Sequence, residues 1–327
     1  MNRDYYLFSN GRLKRKDNTI YFVDFEDNKR SLPVEQVNNL HFFGEINLNS
    51  KLLNYLPKFC IMLNFYNYYG YYSGTYYPRK KNVSGFMVVN QAKFYNDYEK
   101  RLTLAKSFVD SAVHHILRNL RRHREYTDEI IINIEKERSA IQEAEKITVL
   151  MGIEGRIRKW YYQGFNNILQ QDFVLEGRNK RPPRDPVNAL ISFGNSMIYT
   201  AVLGEIYKTQ LDPTISFLHE PSTKRFSLSL DIAEIFKPLI IDPVIFRLIN
   251  NRIIKKKDFD NDEGICYLNE DGKKKFISQY EAKLSTTIKH RKLKRKVSYR
   301  MFIRLECYKL IKHFIGDQRY KSLKAWW

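Results

Sequence analysis

The sequence is poor in cysteine. It contains three, Cys60, Cys266 and Cys307, and no two of them form a Cys-x-x-Cys pair. This spacing supports neither a zinc cage of thiolates nor a disulfide framework. The chain also lacks an uninterrupted apolar run of about 18 residues, which a membrane-spanning helix requires, and its first residues lack the apolar segment of a secretory signal. We therefore expect no membrane segment and a reduced, cytoplasmic location.

Acidic residues are scarce relative to basic ones. The 36 Asp and Glu residues stand against 56 Lys and Arg residues, which gives a formal net charge of +20. Residues 1–75 contain nine basic and seven acidic residues, so +18 of this charge belongs to the rest of the chain. A charge of this size indicates a polyanionic partner such as nucleic acid, or an anionic membrane surface.

The densest basic block covers residues 289–300, with seven basic residues and no acid. Such a run is often the solvated face of a helix, but in a region this basic we favour contact with nucleic acid. The charge pattern does not distinguish DNA from RNA.

The pattern at the start of the chain is typical of β-structure. Short segments rich in Tyr, Phe, Val and Ile alternate with turn residues such as Asn10-Gly11. These segments are residues 5–8, 12–15, 19–25 and 39–43. An apolar run at 60–65 and a segment dominated by Tyr and Gly at 66–77 follow. We predict a small β-sandwich-like domain over residues 1–77 and a linker over 78–88.

The pattern then becomes helical. Apolar residues recur at helical spacing over 92–123, and Asp185-Pro186 is a typical helix start, with Asp as the cap and Pro at the first position. This helix is expected to run to about Thr209, and another is expected to begin near Ser229. The predicted fold class is α+β, with a larger, all-helical catalytic domain over 89–327.

Three segments of the helical part carry residues suited to chemistry. In the first, Glu154 stands between Gly152 and Gly155 inside an apolar helical stretch. Each glycine costs about 1 kcal/mol against alanine in a helix, which indicates close backbone approach there. The structural alternative is a surface glutamate paired with Arg158 one turn later, and spacing alone favours that alternative.

The other two segments contain an imidazole and two more carboxylates. His219 follows a long helix, and a lone histidine is more often structural than a ligand. Asp231 and Glu234 are three positions apart, so both lie on one helix face. The alternative for Asp231 is a first-turn acid that favours the helix dipole, and taken alone that is the better interpretation.

Taken together, these carboxylates and the imidazole suit a six-coordinate Mn²⁺ or Mg²⁺ ion. Phosphodiester chemistry uses such an ion to neutralise the phosphate and stabilise the leaving oxygen. An acidic site within a basic domain fits a nuclease. No glycine-rich phosphate loop, Ser-His-Asp order or dinucleotide fingerprint competes with this interpretation.

The same segments resemble the family of CRISPR-associated spacer integrases in order, spacing and flanks. The resemblance covers about residues 3–250. Its most specific part is the run 181–190 (Arg-Pro-Pro-Arg-Asp-Pro-Val-Asn-Ala-Leu), followed by Leu218-His219 and by the segment 227–234. Asn188 within that run either organises the helix near the site or is a buried amide satisfied by backbone.

The resemblance implies specific roles. Glu154, His219 and Glu234 become ligands of Mn²⁺ or Mg²⁺, and Asp231 becomes a nearby acid that either supports a ligand or binds a second ion. Many similar proteins carry Asp where Glu234 stands. The implied activity is that of a DNA endonuclease and integrase of CRISPR adaptation, which joins the 3′ ends of short double-stranded DNA to a repeat array by transesterification. Type I is one candidate for the kind of CRISPR system.

The resemblance also implies partners. They are a second copy of the chain, in a homodimer formed through residues 1–77, and a small second CRISPR-associated protein in an integrase complex. Two other functions remain open at this point: a non-catalytic scaffold that binds nucleic acid, and a metal-dependent nuclease of DNA repair or RNA processing.

Overall fold

A computed structural model of the chain describes residues 3–79, 82–170, 173–179, 182–221 and 226–327. The chain divides into two compact units, Met1–Val83 and Ser84–Trp327. The first helix of the second unit begins at Gly85, within the segment 78–88 that the sequence assigns to a linker. Residues 80 and 81 of that segment lie outside the described part of the chain.

The N-terminal unit contains two four-stranded sheets. The strands and one short helix are β1 (Arg3–Leu7), β2 (Gly11–Lys16), β3 (Thr19–Asp24), β4 (Lys29–Pro33), β5 (Val37–Phe42), β6 (Ile46–Asn47), α1 (Ser50–Leu53), β7 (Leu63–Tyr66) and β8 (Tyr72–Tyr76). One sheet has the strand order β4-β3-β2-β6 and the other the order β1-β5-β7-β8. Side chains such as Leu13, Ile20, Leu40 and Phe42 share one core. Alternation along the strands creates this core, and the predicted sandwich-like architecture is confirmed.

The C-terminal unit is mostly helical. Its elements are α2 (Gly85–Asn96), α3 (Tyr98–Arg121), α4 (Arg124–Ser139), α5 (Ile147–Ile168), α6 (Pro186–Tyr207), α7 (Ser227–Phe236), α8 (Asp242–Asn250), β9 (Phe259–Asp262), β10 (Ile265–Leu268), α9 (Glu270–Ser285), β11 (Thr287–Lys289), β12 (Lys296–Ser298) and α10 (Tyr299–Phe314). The predicted helical character is confirmed. The description as all-helical needs correction, because β9–β10 and β11–β12 form two antiparallel ribbons.

One helix is shorter than predicted, and another has the predicted extent but changes its hydrogen-bonding pattern along its length. The helix expected over 92–123 is broken at Asp97, whose backbone is extended and whose side chain accepts a hydrogen bond from the Lys100 N–H. The apolar spacing continues across this break, so periodicity alone does not reveal it. The helix that starts at Ser227 passes into a π-helical segment, Lys237–Ile241. Such segments occur frequently at functional sites.

Helix α6 lies at the centre of the C-terminal unit. Its predicted cap is present, since Asp185 accepts a hydrogen bond from the Asn188 N–H at 2.8 Å. A methyl group added at Gly194 would lie 2.4 Å from Ile241 Cγ2, so this glycine permits close approach of α6 to the π-helical segment. Within the described residues, α6 alone is long and apolar enough to cross a membrane, and 83% of its most apolar window is buried inside the protein.

Candidate metal centre

The candidate residues lie on three neighbouring parts of the C-terminal unit. Glu154 is in the middle of α5, Glu234 is in α7, and His219 lies in the segment that precedes α7. Helices α5 and α7 both pack on α3, which brings their polar residues toward each other. The apolar residues on either side of each carboxylate, such as Ile153 and Ile235, are buried and hold the two helices in place.

One guanidinium joins the two carboxylates. Arg158 Nε donates to Glu154 Oε1 at 2.7 Å, and Arg158 Nη2 donates to Glu234 Oε2 across 76 positions of sequence. Lys237 adds an ion pair with Glu234 Oε1 from one turn further along the chain. The Glu154–Arg158 pair that spacing favours is therefore present, and the same arginine also binds the second predicted ligand.

His219 is held by Asp231. The Asp231 side chain is fully buried, and its Oδ1 accepts hydrogen bonds from His219 Nδ1 at 2.8 Å and from the His219 N–H at 2.9 Å. Its Oδ2 accepts from the N–H groups of Phe217 and Leu218 at 2.5 and 3.0 Å. A carboxylate that accepts from Nδ1 places the ring proton on that nitrogen and leaves a lone pair on Nε2.

This arrangement bears on the two roles left open for Asp231. Four donors use both of its oxygens, and the side chain exposes no surface to solvent. Such a carboxylate is suited to orienting His219 and the backbone of residues 217–219, and it offers no exposed oxygen to a second ion. It is not a first-turn acid that merely interacts with the helix dipole.

Electrostatics keep Glu234 ionised. Burial favours its neutral form, but the positive charges of Lys237 and Arg158 outweigh burial and lower the pKa of Glu234 to about 2. Asp242 behaves in the opposite way, because burial raises its pKa to about 6 against the influence of Arg158. Tyr161 donates a hydrogen bond to Asp242 Oδ2 at 2.9 Å.

The structure joins Glu154 and Glu234 through Arg158, but it does not place the three predicted ligands in a ligating arrangement. Within the described ranges, no group of three or more His, Cys, Asp or Glu side chains is placed to hold a metal ion. Arg158 and Lys237 instead lie against the carboxylate oxygens. Convergence of Glu154, His219 and Glu234 on one ion therefore stays a prediction.

The available donors nevertheless fit Mn²⁺ or Mg²⁺. Carboxylate oxygens are the preferred ligands of both ions, and imidazole is an accepted ligand of Mn²⁺. Asp231 already fixes the proton on His219 Nδ1, which is the usual support of a metal-binding histidine. The His219 side chain is 20% exposed, so its ring is accessible from solvent. These donors are of the kinds that a divalent cation uses.

The glycines beside Glu154 differ from expectation. A methyl group added at Gly155 would meet no atom within 4 Å, and one added at Gly152 would meet Arg156 Nη1 at 3.6 Å. The prediction that these glycines permit close backbone approach to another part of the described chain is therefore wrong. Both glycines are solvent-exposed, and neither contributes a side chain to the surface of α5 next to Glu154.

Asn188 in the run 181–190 has a structural role, which was one of the alternatives that the sequence left open. It is buried, its Nδ2 donates to the Gly177 carbonyl at 2.7 Å, and its Oδ1 accepts from Arg178 Nη1 at 2.7 Å. It thereby organises the segment that leads into α6. Arg181, the first residue of that run, lies outside the described part of the chain.

Sequence reasoning missed two features of the centre. Lys237 stands three positions after Glu234, a spacing typical of a helical ion pair, and this spacing was a usable signal. The interaction between Arg158 and Glu234 had no local signal, because it depends on how α5 and α7 pack.

Comparison with known proteins decides the family. The family described as CRISPR associated protein Cas1 matches residues 5–282. The chain belongs to the Cas1 family. It is 65% identical over 330 residues to the CRISPR-associated endonuclease Cas1 of Clostridium perfringens (strain SM101 / Type A), and the match covers 100% of both chains. The resemblance inferred from the sequence motifs is confirmed.

Solved structures agree with this assignment. A CAS1 protein from Thermotoga maritima superposes with a TM-score of 0.91 and 40% identity, over 98% of this chain and 100% of that one. A casposase bound to integration product shares the fold, with a TM-score of 0.88 and 18% identity over 99% of this chain and 93% of that one. The two-part architecture, a β unit followed by a helical unit, is thus that of the Cas1 family.

Proposed function

We propose that the protein is a metal-dependent DNA endonuclease and integrase of CRISPR adaptation. It joins 3′ ends of short duplex DNA to a repeat array by transesterification. The observation that carries the proposal is the meeting of Glu154 and Glu234 at Arg158, beside a histidine whose ring proton is directed by Asp231. The endonuclease name of the 65% identical relative supports the same activity.

In this proposal, Glu154, Glu234 and Nε2 of His219 hold one Mn²⁺ or Mg²⁺ ion. When bound, the ion neutralises charge on the scissile phosphate and stabilises the leaving 3′ oxygen. Asp231 keeps the proton of His219 on Nδ1, so that Nε2 carries the lone pair that would bind the ion. A DNA 3′ hydroxyl is the nucleophile in joining, and water is the nucleophile in cleavage.

An integration assay tests the proposal. It uses short duplexes with 3′ hydroxyl ends, a plasmid that carries repeats, the small second CRISPR-associated protein, and Mn²⁺ or Mg²⁺. We expect covalently joined product with either ion and none when the ion is chelated. Joining that persists unchanged in excess chelator would contradict the metal dependence.

One observation favours a second candidate, the non-catalytic scaffold. Arg158 and Lys237 already compensate Glu154 and Glu234, so the acids are satisfied as a purely structural ion-pair network. If this candidate is right, no divalent ion supports cleavage of DNA, although DNA still binds.

A repair or RNA-processing nuclease would instead show metal-dependent cleavage without joining at repeats, and parallel reactions with RNA and DNA separate it from the first proposal.

The basic block 289–300 offers a surface for the DNA. Residues 289–298 of the block belong to the ribbon β11–β12 and the turn between its strands, and α10 begins at Tyr299, so the alternative of a solvated helix face is wrong for most of the block. Six of its seven basic residues are exposed, and within the described part of the chain none of the six forms an ion pair. They are Lys289, Arg291, Lys292, Lys294, Arg295 and Lys296. The seventh, Arg300, is paired with Glu281 at 2.9 Å.

Aromatic interactions hold this ribbon in place. The His290 ring stacks on Phe302 with 5.6 Å between centroids, and the Arg291 guanidinium lies 5.0 Å from the centre of the Trp326 ring. An anchored group of exposed cations is suited to the phosphates of a duplex, whose neutralisation releases counterions. We therefore include the ribbon in the DNA-binding surface.

A triple substitution tests the ribbon. Lys292→Gln, Arg295→Gln and Lys296→Gln together should weaken DNA binding and flatten its salt dependence, by about 0.9 in the log–log slope for each phosphate that the variant no longer neutralises. Fluorescence anisotropy with labelled duplex at several salt concentrations measures both. The matched control is Lys274→Gln, which removes a lysine already paired with Glu270. An unchanged slope in the triple variant would exclude the ribbon from the interface.

Quaternary assembly is part of the same proposal. We expect a homodimer in which residues 1–77 provide a main interface, because a β unit of this size buries little core by itself and gains stability from a partner. The small second CRISPR-associated protein binds to this dimer. Light scattering should give the mass of two chains at micromolar concentration, and a monomer across a range of salt concentrations would contradict this expectation.

A further inference from the structure

Arg158 occupies an unusual position for an arginine. It lies one turn after Glu154 on α5, and its side chain is 13% exposed. Its Nε binds Glu154 and its Nη2 binds Glu234. Both predicted carboxylate ligands thus accept hydrogen bonds from one guanidinium, through oxygens that are also available ligand atoms for a metal ion.

Arg158 and a divalent ion would therefore compete for the same two carboxylates. A divalent cation between Glu154 and Glu234 would stand beside a buried positive charge, where like charges repel strongly because water screens them little. The ion would also compete for Glu154 Oε1 and Glu234 Oε2, the two oxygens to which Arg158 donates.

We propose that Arg158 is a competing cation of the metal centre: it holds Glu154 and Glu234 together in the absence of the ion, and it releases at least one of them when Mn²⁺ or Mg²⁺ binds. This inference rests on the proposed metal-dependent function. Lys237 contributes to the same balance, but of the two carboxylates it pairs with Glu234 alone. Arg158 is the residue that spans the ligand pair.

The released guanidinium has other anionic partners. Asp242, buried at the start of α8, accepts a hydrogen bond from Tyr161, which lies one turn after Arg158 on α5. A DNA phosphate is a second partner, because it matches the bidentate geometry of a guanidinium. Bound DNA that takes over Arg158 frees the carboxylates for the ion, so DNA and metal should each strengthen binding of the other.

Direct measurement of Mn²⁺ binding to the full-length protein, without DNA, tests the inference. We expect Arg158→Met to bind Mn²⁺ at least tenfold more tightly than the unmodified protein, which corresponds to about 1.4 kcal/mol. Calorimetry or the electron paramagnetic resonance signal of free Mn²⁺ gives the affinity. Arg156→Met is the matched control: it lies two positions away on α5 and pairs with Glu137, outside the centre. Its Mn²⁺ affinity should be unchanged.

A purely structural arginine gives a different result. If Arg158 only fastens α5 to α7, Arg158→Met lowers the melting temperature, Mn²⁺ does not restore it, and affinity for the ion stays equal or falls. Under our proposal, Mn²⁺ raises the melting temperature of Arg158→Met more than that of the unmodified protein. Equal or weaker Mn²⁺ binding by a folded Arg158→Met would overturn the proposal.

Two further results complete the test. If Arg158→Met does not fold, Arg158→Lys provides the test, because a lysine ammonium cannot span both carboxylates as the guanidinium fork does. If Arg158→Lys binds Mn²⁺ no more tightly than the unmodified protein does, the inference is overturned. If the unmodified protein is active with Mn²⁺ in the integration assay and neither variant gains affinity, this inference alone fails. If no variant binds Mn²⁺ with or without DNA, the proposed metal-dependent function fails as well.

Discussion

Replacing Glu154 or Glu234 by glutamine is expected to abolish cleavage and joining of DNA, with rates lowered by more than about a hundredfold. Even residues that only support a metal ligand cost about 10- to 100-fold when replaced, so loss of a ligand should cost more. The side chain of glutamine has nearly the same size but carries no charge to hold the ion. His219→Ala should have the same effect, because it removes the nitrogen ligand. Rates of plasmid nicking and of spacer joining with Mn²⁺ provide the measurement.

Binding and stability separate this effect from misfolding. DNA affinity should stay within about twofold, because it comes from the basic surface. The matched control is Glu137→Gln. That carboxylate is 24% exposed and pairs with Arg156, much as Glu154 is 25% exposed and pairs with Arg158, and its replacement should leave the rates unchanged. Full Mn²⁺-dependent activity in Glu234→Gln would show that the ligand assignment is wrong.

Asp231→Asn is expected to damage both the fold and the activity. An amide has one acceptor oxygen, so at least one of the buried N–H groups of Phe217 and Leu218, or the group of donors on His219, loses its partner. Each buried donor left unsatisfied costs about 1–3 kcal/mol. The ring of His219 also loses the carboxylate that fixes its proton, which should lower Mn²⁺ affinity about 10- to 100-fold.

Urea unfolding and Mn²⁺ titration measure these two effects separately. Asp212→Asn is a suitable control, because Asp212 accepts from Thr214 in an exposed turn of the same segment and is not paired with any of the predicted ligands. We expect that variant to keep its Mn²⁺ affinity. If Asp231→Asn retained both normal stability and normal Mn²⁺ affinity, the orienting role of Asp231 would be excluded.

Local signals in the sequence predicted several elements well. Alternation in the first 77 residues predicted strands because one face of each sheet is buried. Asp185-Pro186 predicted the start of α6 because the cap and the proline act within one turn. The break at Asp97 was missed because the apolar pattern of α2 continues in phase into α3. The ribbon β11–β12 was missed because its lysines and arginines are also good helix formers.

Composition and motifs were enough to predict the charge of the helical unit, the kinds of donor available for a metal ion, and the family, since motifs such as the run 181–190 need no knowledge of the fold. Tertiary structure decided which of these residues meet. Arg158 reaches Glu234 across 76 positions only because α5 and α7 pack on α3. Asp231 accepts hydrogen bonds from residues 217–219 instead of from solvent, because this part of α7 is buried against them. Such interactions depend on the packing of distant segments, which no local spacing encodes.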